Sequence, residues 1–174
     1  MQIAKVTVAE GAREAAGAPD RPRLAIAGPI VDAAGRVLMQ MCGQTVRKGV
    51  VHRLRSSRPS GEVTALIAVT GGIAGLVIYS MSRETARRLS SAMIGEEVND
   101  MDEMAQSAIA ELANVITGQA GIALQRGGIP NDMSPPVLMM GAGISFATFN
   151  LTRLVVPLLL DAGEFSIDMG IKET

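Results

Sequence analysis

Apolar residues recur at Ile109, Leu112, Ile116 and Ala120 within residues 100–126, at the three-to-four spacing of a core-facing helical stripe. A second line runs through Glu103, Ser107, Glu111, Asn114 and Gly118, separated by four, four, three and four positions. The two lines predict one long amphipathic helix with an acid, an amide and a glycine stacked along its wet side. Asn99 or Asp100 is placed to cap it, and Asp102 and Glu103 suit the positive end of its dipole. Gly118 costs about 1 kcal/mol of helix stability relative to alanine. Its return is a bare stretch of backbone that another molecule can approach. A solvated face that merely carries Glu and Asn is the plainer reading of the same row.

The pattern elsewhere predicts two more helices and a set of strands. A first helix is signalled over Gly28–Cys42, with Pro29 in its first turn and Gly43 at its end. Ile30, Val31, Ala34, Val37, Leu38 and Met41 form its buried stripe, and Asp32 and Arg36 form an i,i+4 pair outside. Residues 49–61 are basic and loop-like, with a short strand allowed at the start. Glu62–Val69 and Ile73–Ser80 read as strands about Thr70-Gly71-Gly72. Val63–Ser82 is among the longest uncharged runs and is long enough to cross a membrane. Its paired glycines and flanking β-branched residues favour the hairpin.

Ser82 caps a helix over Arg83–Ile94 that stops at Gly95. Beyond Arg126 lies a loop stiffened by Pro130, Pro135 and Pro136, then strands over Val137–Met140 and Ile144–Asn150. Arg153–Leu160 and Glu164–Lys172 close the chain as a hairpin turned at Asp161-Ala162-Gly163. Residues 1–23, with a short strand at Gln2–Val8, read as an N-terminal extension or linker, and residues 24–174 as one domain. The fold class is α+β: about six mostly antiparallel strands with three helices. A weak repeat of period 75 aligns Gly43-Gln44 with Gly118-Gln119 and suggests an internal duplication. On that register Ser107, Glu111 and Asn114 correspond to Asp32, Arg36 and Met39, so one copy lacks the acid and the amide.

Composition narrows the chemistry. The 174 residues suffice to bury roughly 70% of the unfolded chain's surface. Only 2% are aromatic, so the core is aliphatic, supplemented by 11 Met. A net charge of −1 offers no basic stripe for nucleic acid. A single cysteine, Cys42, excludes an internal disulfide and a Cys-based zinc cluster, and suits a reducing cytoplasm. The first residues lack the apolar core of a signal peptide. TGGIAG (70–75) lacks the following helix of a phosphate loop. His52, the sole histidine, sits in a basic stretch, where a surface role is favoured over a dyad with Cys42. No cluster has metal-ligand spacing.

The stretch SAIAELANVITGQA (107–120) resembles the signature of the CheC/CheX/FliY family of chemotaxis phosphatases. In that family Asp or Ser is followed by Glu four residues on and Asn three later, with a Pro roughly twenty residues beyond. Ser107, Glu111 and Asn114 fill those positions, with Pro135 or Pro136 as the last. GLVIYSMSRETARRLSSAMIGEE (75–97) resembles the family's strand and helix, and VVPLLLDAGEFSIDMGI its C-terminal hairpin. One Glu/Asn pair, not two, is the CheX-like pattern.

The resemblance implies a CheC-like fold and a cytoplasmic hydrolase acting on the phosphoaspartate of a CheY-like receiver. Glu111 is then expected to dock on the receiver's lysine and Asn114 to orient the in-line water. Ser107, Gly118 and Pro136 are expected to shape the partner contact. It further implies that Mg²⁺ is held by the receiver and no cofactor by this chain. A homodimer is implied, with no nucleic acid and no membrane. The alternative is a non-catalytic scaffold like the flagellar switch proteins, which has no need of Asn114.

Overall fold

The computed structural model describes residues 21–54, 58–59, 61–146 and 152–174. The Gln2–Val8 strand and residues 147–150 of the Ile144–Asn150 strand lie outside them. The three helices are α1 (Arg21–Cys42), α2 (Arg83–Ile94) and α3 (Glu103–Arg126). Five strands belong to the first half: β1 (Arg47–Lys48), β2 (His52–Leu54), β3 (Arg58–Pro59), β4 (Val63–Gly71) and β5 (Ile73–Met81). The second half supplies β6 (Asn131–Met133), β7 (Val137–Met140), β8 (Ser145–Phe146), β9 (Arg153–Leu160) and β10 (Gly163–Glu173). The class is α+β, as the pattern predicts.

Eight strands form one antiparallel sheet in the order β1-β9-β10-β5-β4-β6, with β2 beside β9 and β7 beside β4. Odd-numbered residues within β4, β5 and β10, namely Val63, Ile67, Val77, Tyr79, Phe165 and Ile167, are buried. They share one face by the two-residue period of a strand. The helices pack on one another and on the sheet as a single layer, so the core lies between that layer and this face.

Several boundaries differ from the sequence reading. α1 begins at Arg21, not Gly28, so Pro29 lies inside the helix. An interior proline removes one backbone hydrogen bond and its ring crowds the preceding turn, so it is a cost that the packing of α1 must offset. α3 takes Asp102 as its N-cap, whose carboxylate accepts from the Ala105 amide at 2.9 Å. Asp100 instead pairs with Arg83, and Asp32 meets Lys48 at 3.0 Å across the end of α1, not Arg36. β3 and β6 fall in stretches read as loops, β2 lies near the start of 49–61 where a short strand was allowed, and β1 precedes it; all four become strands only by pairing with distant partners.

The halves repeat as α1-β1-β2-β3-β4-β5 and α3-β6-β7-β8-β9-β10, with α2 inserted between them. They exchange strands reciprocally: β1 and β2 pair with β9, β6 and β7 pair with β4, and β3 pairs with β8. The turns match too. The Thr45 amide donates to Asp161 beside one hairpin turn, and the Gly72 amide at the other donates to the Pro130 carbonyl.

This repeat corrects the period of 75. The helices end 84 residues apart, at Cys42 and Arg126. A shift of 86 carries exposed Ala25, Asp32, Arg36 and Met39 onto exposed Glu111, Gly118, Ile122 and Gln125. The two shifts differ by 11 residues, three helical turns, so both align wet faces with wet faces. Asp32, Arg36 and Met39 are therefore not the counterparts of Ser107, Glu111 and Asn114; at the Glu111 and Asn114 positions Ala25 and Gly28 stand instead, as a shift of 86 gives.

At the centre, the Tyr79 hydroxyl lies 3.4 Å from Thr117 Oγ1, and Thr117 donates to the Ala113 carbonyl at 2.7 Å. With its proton committed, Thr117 accepts from Tyr79. Burial pushes the Tyr79 phenol's pKa up, keeping it a neutral donor. Tyr79→Phe is expected to cost about 0.5–1.5 kcal/mol of stability in denaturant titration.

Candidate functional site

α3 holds the candidate residues, and three attachments set its position. Near its start, buried Ser90 of α2 donates to the Ala105 carbonyl at 3.1 Å. In the middle, Tyr79 and Thr117 tie it to β5. Toward its end, the Asn131 amide donates to the Gly121 carbonyl at 3.1 Å and to Ile129 at 3.0 Å, seating the following loop against it. Ile109, Leu112, Ile116, Ala120 and Leu124 are buried. Helical geometry then decides where the rest of the turn points.

Glu103, Ser107, Glu111, Asn114 and Gly118 are all exposed. The structure thus brings four of the five predicted site residues onto one open row. Glu111 and Asn114 are separated by about 4.5 Å of helix rise, with Cβ atoms ~5–6 Å apart. Pro136 is elsewhere. It is half-buried in the connection between β6 and β7, at the edge of the sheet beside β4, and is not part of the row. From Glu103 to Gln125 the helix carries the carboxylates of Glu103 and Glu111 and no basic residue; Arg126 comes only at its end. The row is an acidic ridge suited to a cation on a partner.

Gly118 has no packing reason to be glycine: a Cβ there meets nothing within 4 Å. Gly121, three residues on, differs, because its Cβ would press on Asn131 Oδ1 at 3.1 Å. Two exposed apolar side chains flank the Ser107–Gly118 part of the row, Met104 at 64% and Ile122 at 52% exposure. The sequence reading did not single them out. Their signal was available: both stand in phase with the polar row, not with the buried stripe.

The ridge is convex and not a cavity. The small depression between α1 and the closing strands is apolar, lined by Ile26, Ala27, Leu154, Met169 and Ile171, and includes none of the row. Among the described residues no three His, Cys, Asp or Glu residues come together as a metal site. Burial pushes the Cys42 thiol up to about 11, leaving it protonated and a poor nucleophile. His52 lies on the exposed edge strand β2. Among the described residues no helix is long and apolar enough to cross a membrane.

Sequence comparison accords with this geometry. The family described as "Chemotaxis phosphatase CheX" matches residues 63–159, more than half the chain. The chain belongs to the CheX family. A curated relative from Thermotoga maritima, the CheY-P phosphatase CheX, is 34% identical over 112 residues, 64% of this chain and 72% of the relative. The crystal structure of a chemotaxis protein CheX from Desulfovibrio desulfuricans superposes with a TM-score of 0.76 at 26% identity, covering 86% of this chain and 99% of that one. The CheX of a Borrelia burgdorferi CheX-CheY-BeF3-Mg complex superposes at 0.72 with 26% identity, covering 85% and 98%.

Because nothing crowds position 118, Gly118→Ala is expected to stabilise the fold by about 1 kcal/mol. The rise is measurable as a higher denaturation midpoint, and an unchanged or lower midpoint contradicts an uncrowded site.

Proposed function

We propose that this chain is a cytoplasmic phosphatase that hydrolyses the phosphoaspartate of a CheY-like receiver, using Glu111 and Asn114. The observation that carries the reading is that these two side chains share the open row of a helix held at three points. Kinship supplies the substrate class, since the curated relative is named a CheY-P phosphatase and the Borrelia protein was solved with CheY.

Phosphoryl transfer to water depends mainly on positioning and on electrostatic stabilisation. A receiver's own Mg²⁺ supplies charge neutralisation at the phosphoryl oxygens. This chain adds two groups. The Glu111 carboxylate docks on the lysine beside the phosphoaspartate and sets the register of the two proteins. The Asn114 carboxamide holds a water in line with the phosphorus, its oxygen accepting a hydrogen bond from the water and its NH₂ donating one to the water oxygen. The water oxygen forms the new P–O bond, the bond to the aspartyl oxygen breaks, and inorganic phosphate leaves with the receiver's carboxylate restored.

Ser107 and Gly118 lie along the same row, where a short hydroxyl and a bare backbone admit the partner closely. Pro136 stiffens the connection from β6 to β7. The chain supplies no cofactor of its own, and it works as a homodimer joined through sheet edges.

Mixing the protein with each phosphorylated receiver of its own cell and following phosphate release tests the reading. Acceleration with at least one receiver is expected, and its absence with all of them overturns the proposal. Asn114→Ala should lower turnover ~10²–10³-fold, as expected for loss of one positioned polar group, without loss of folding. Glu111→Lys should weaken receiver binding by setting like charge against the lysine, and unchanged affinity removes the docking role.

A further inference from the structure

We infer that the receiver's footprint runs the length of α3, with Met104 and Ile122 as apolar anchors on either side of Glu111 and Asn114. The inference rests on the reading of that pair given above and extends it to residues outside the family signature quoted for the site.

Met104 and Ile122 are 18 residues apart, five helical turns, so they point the same way about 27 Å from each other. Glu111 and Asn114 lie between them, and Glu111 points within about 20° of both at 100° per residue. The side chains between the anchors on this row are short apart from Glu111: Ser107, Asn114 and Gly118. The two ends therefore stand above a low middle, and the row has the profile of a saddle. A convex partner seated at the middle meets both ends.

Size favours the same conclusion. A stable interface takes about 800 Å² from each partner, a disc roughly 30 Å across. Centred on Glu111 and Asn114, such a disc reaches both anchors. Methionine and other apolar groups are enriched in the desolvated parts of such interfaces. Neither side chain is packed into the core: Met104 is 64% exposed and Ile122 52% exposed, while the helix buries Ile109, Leu112, Ile116 and Leu124 on the opposite stripe. Isolated exposed apolar residues are ordinary on protein surfaces. Two in line, bracketing the pair proposed to do the chemistry, form one continuous contact with the receiver.

The test is a titration of the protein with the receiver it dephosphorylates, loaded with beryllofluoride and Mg²⁺. Met104→Ala with Ile122→Ala is expected to raise Kd at least tenfold and to raise KM in the phosphatase assay correspondingly. Alanine improves helix propensity at both sites, so folding is retained, as circular dichroism will verify. Met104→Leu with Ile122→Leu, which keeps the apolar volume, should bind as the wild type does. Val50→Ala, at an exposed apolar position off α3, should leave both constants unchanged. A Kd for the double alanine variant within twofold of wild type overturns the inference while leaving the Glu111–Asn114 reading standing. A wild-type protein inactive toward every receiver removes that reading instead.

Discussion

The rotational setting of α3 is the constraint on which the site depends. At 100° per residue, one residue's rotation would carry Glu111 toward the sheet and turn Leu112 toward water. Burying Ile109, Leu112, Ile116 and Leu124 stabilises the observed setting by about 1.5–3 kcal/mol for each large side chain. The cost of burying an unpaired carboxylate opposes every alternative. Hydrophobic burial alone permits some rolling. The bond from Tyr79 to Thr117 opposes that rolling, because a hydrogen bond is directional.

The strand exchange between halves explains why this helix lies where it does. Each half contributes a long hairpin and short edge strands, and each hairpin is bordered by the other half's edge strands. Neither half can complete its sheet alone, so α1 and α3 come to lie side by side over a common surface. The two helices present equivalent faces, yet only α3 carries the acid and the amide one turn apart. The matching positions of α1 are Ala25 and Gly28. A symmetric scaffold thus bears an asymmetric site.

A convex ridge suits a substrate that is itself a protein. A small-molecule enzyme must enclose its substrate and supply the charges that stabilise the reaction. A partner with its own metal and lysine needs only two well-aimed groups from outside. Those are better carried on a clamped helix than on a loop, because catalysis by positioning is lost with small displacements.

Much of this was legible in the chain. The three-to-four spacing identified α3, its buried stripe and its wet row, because helical period acts locally and the core selects apolar residues wherever it touches. The long hairpins were readable from β-branched runs around Gly71-Gly72 and Asp161-Ala162-Gly163 for the same reason. What the chain could not display was anything set by distant partners. β1, β2 and β6 contain two or three residues each and exist only through pairing with β9 or β4. The true register of the repeat was hidden because shifts of 75 and 86 align the same faces, and only strand pairing separates them. The cap of α3 fell to Asp102, beyond the Asn99 or Asp100 expected from the sequence, while Asp100 pairs with Arg83. Sequence determined which residues could share a face. Tertiary packing decided which face would be left open, because only the assembled sheet and neighbouring helices close the others.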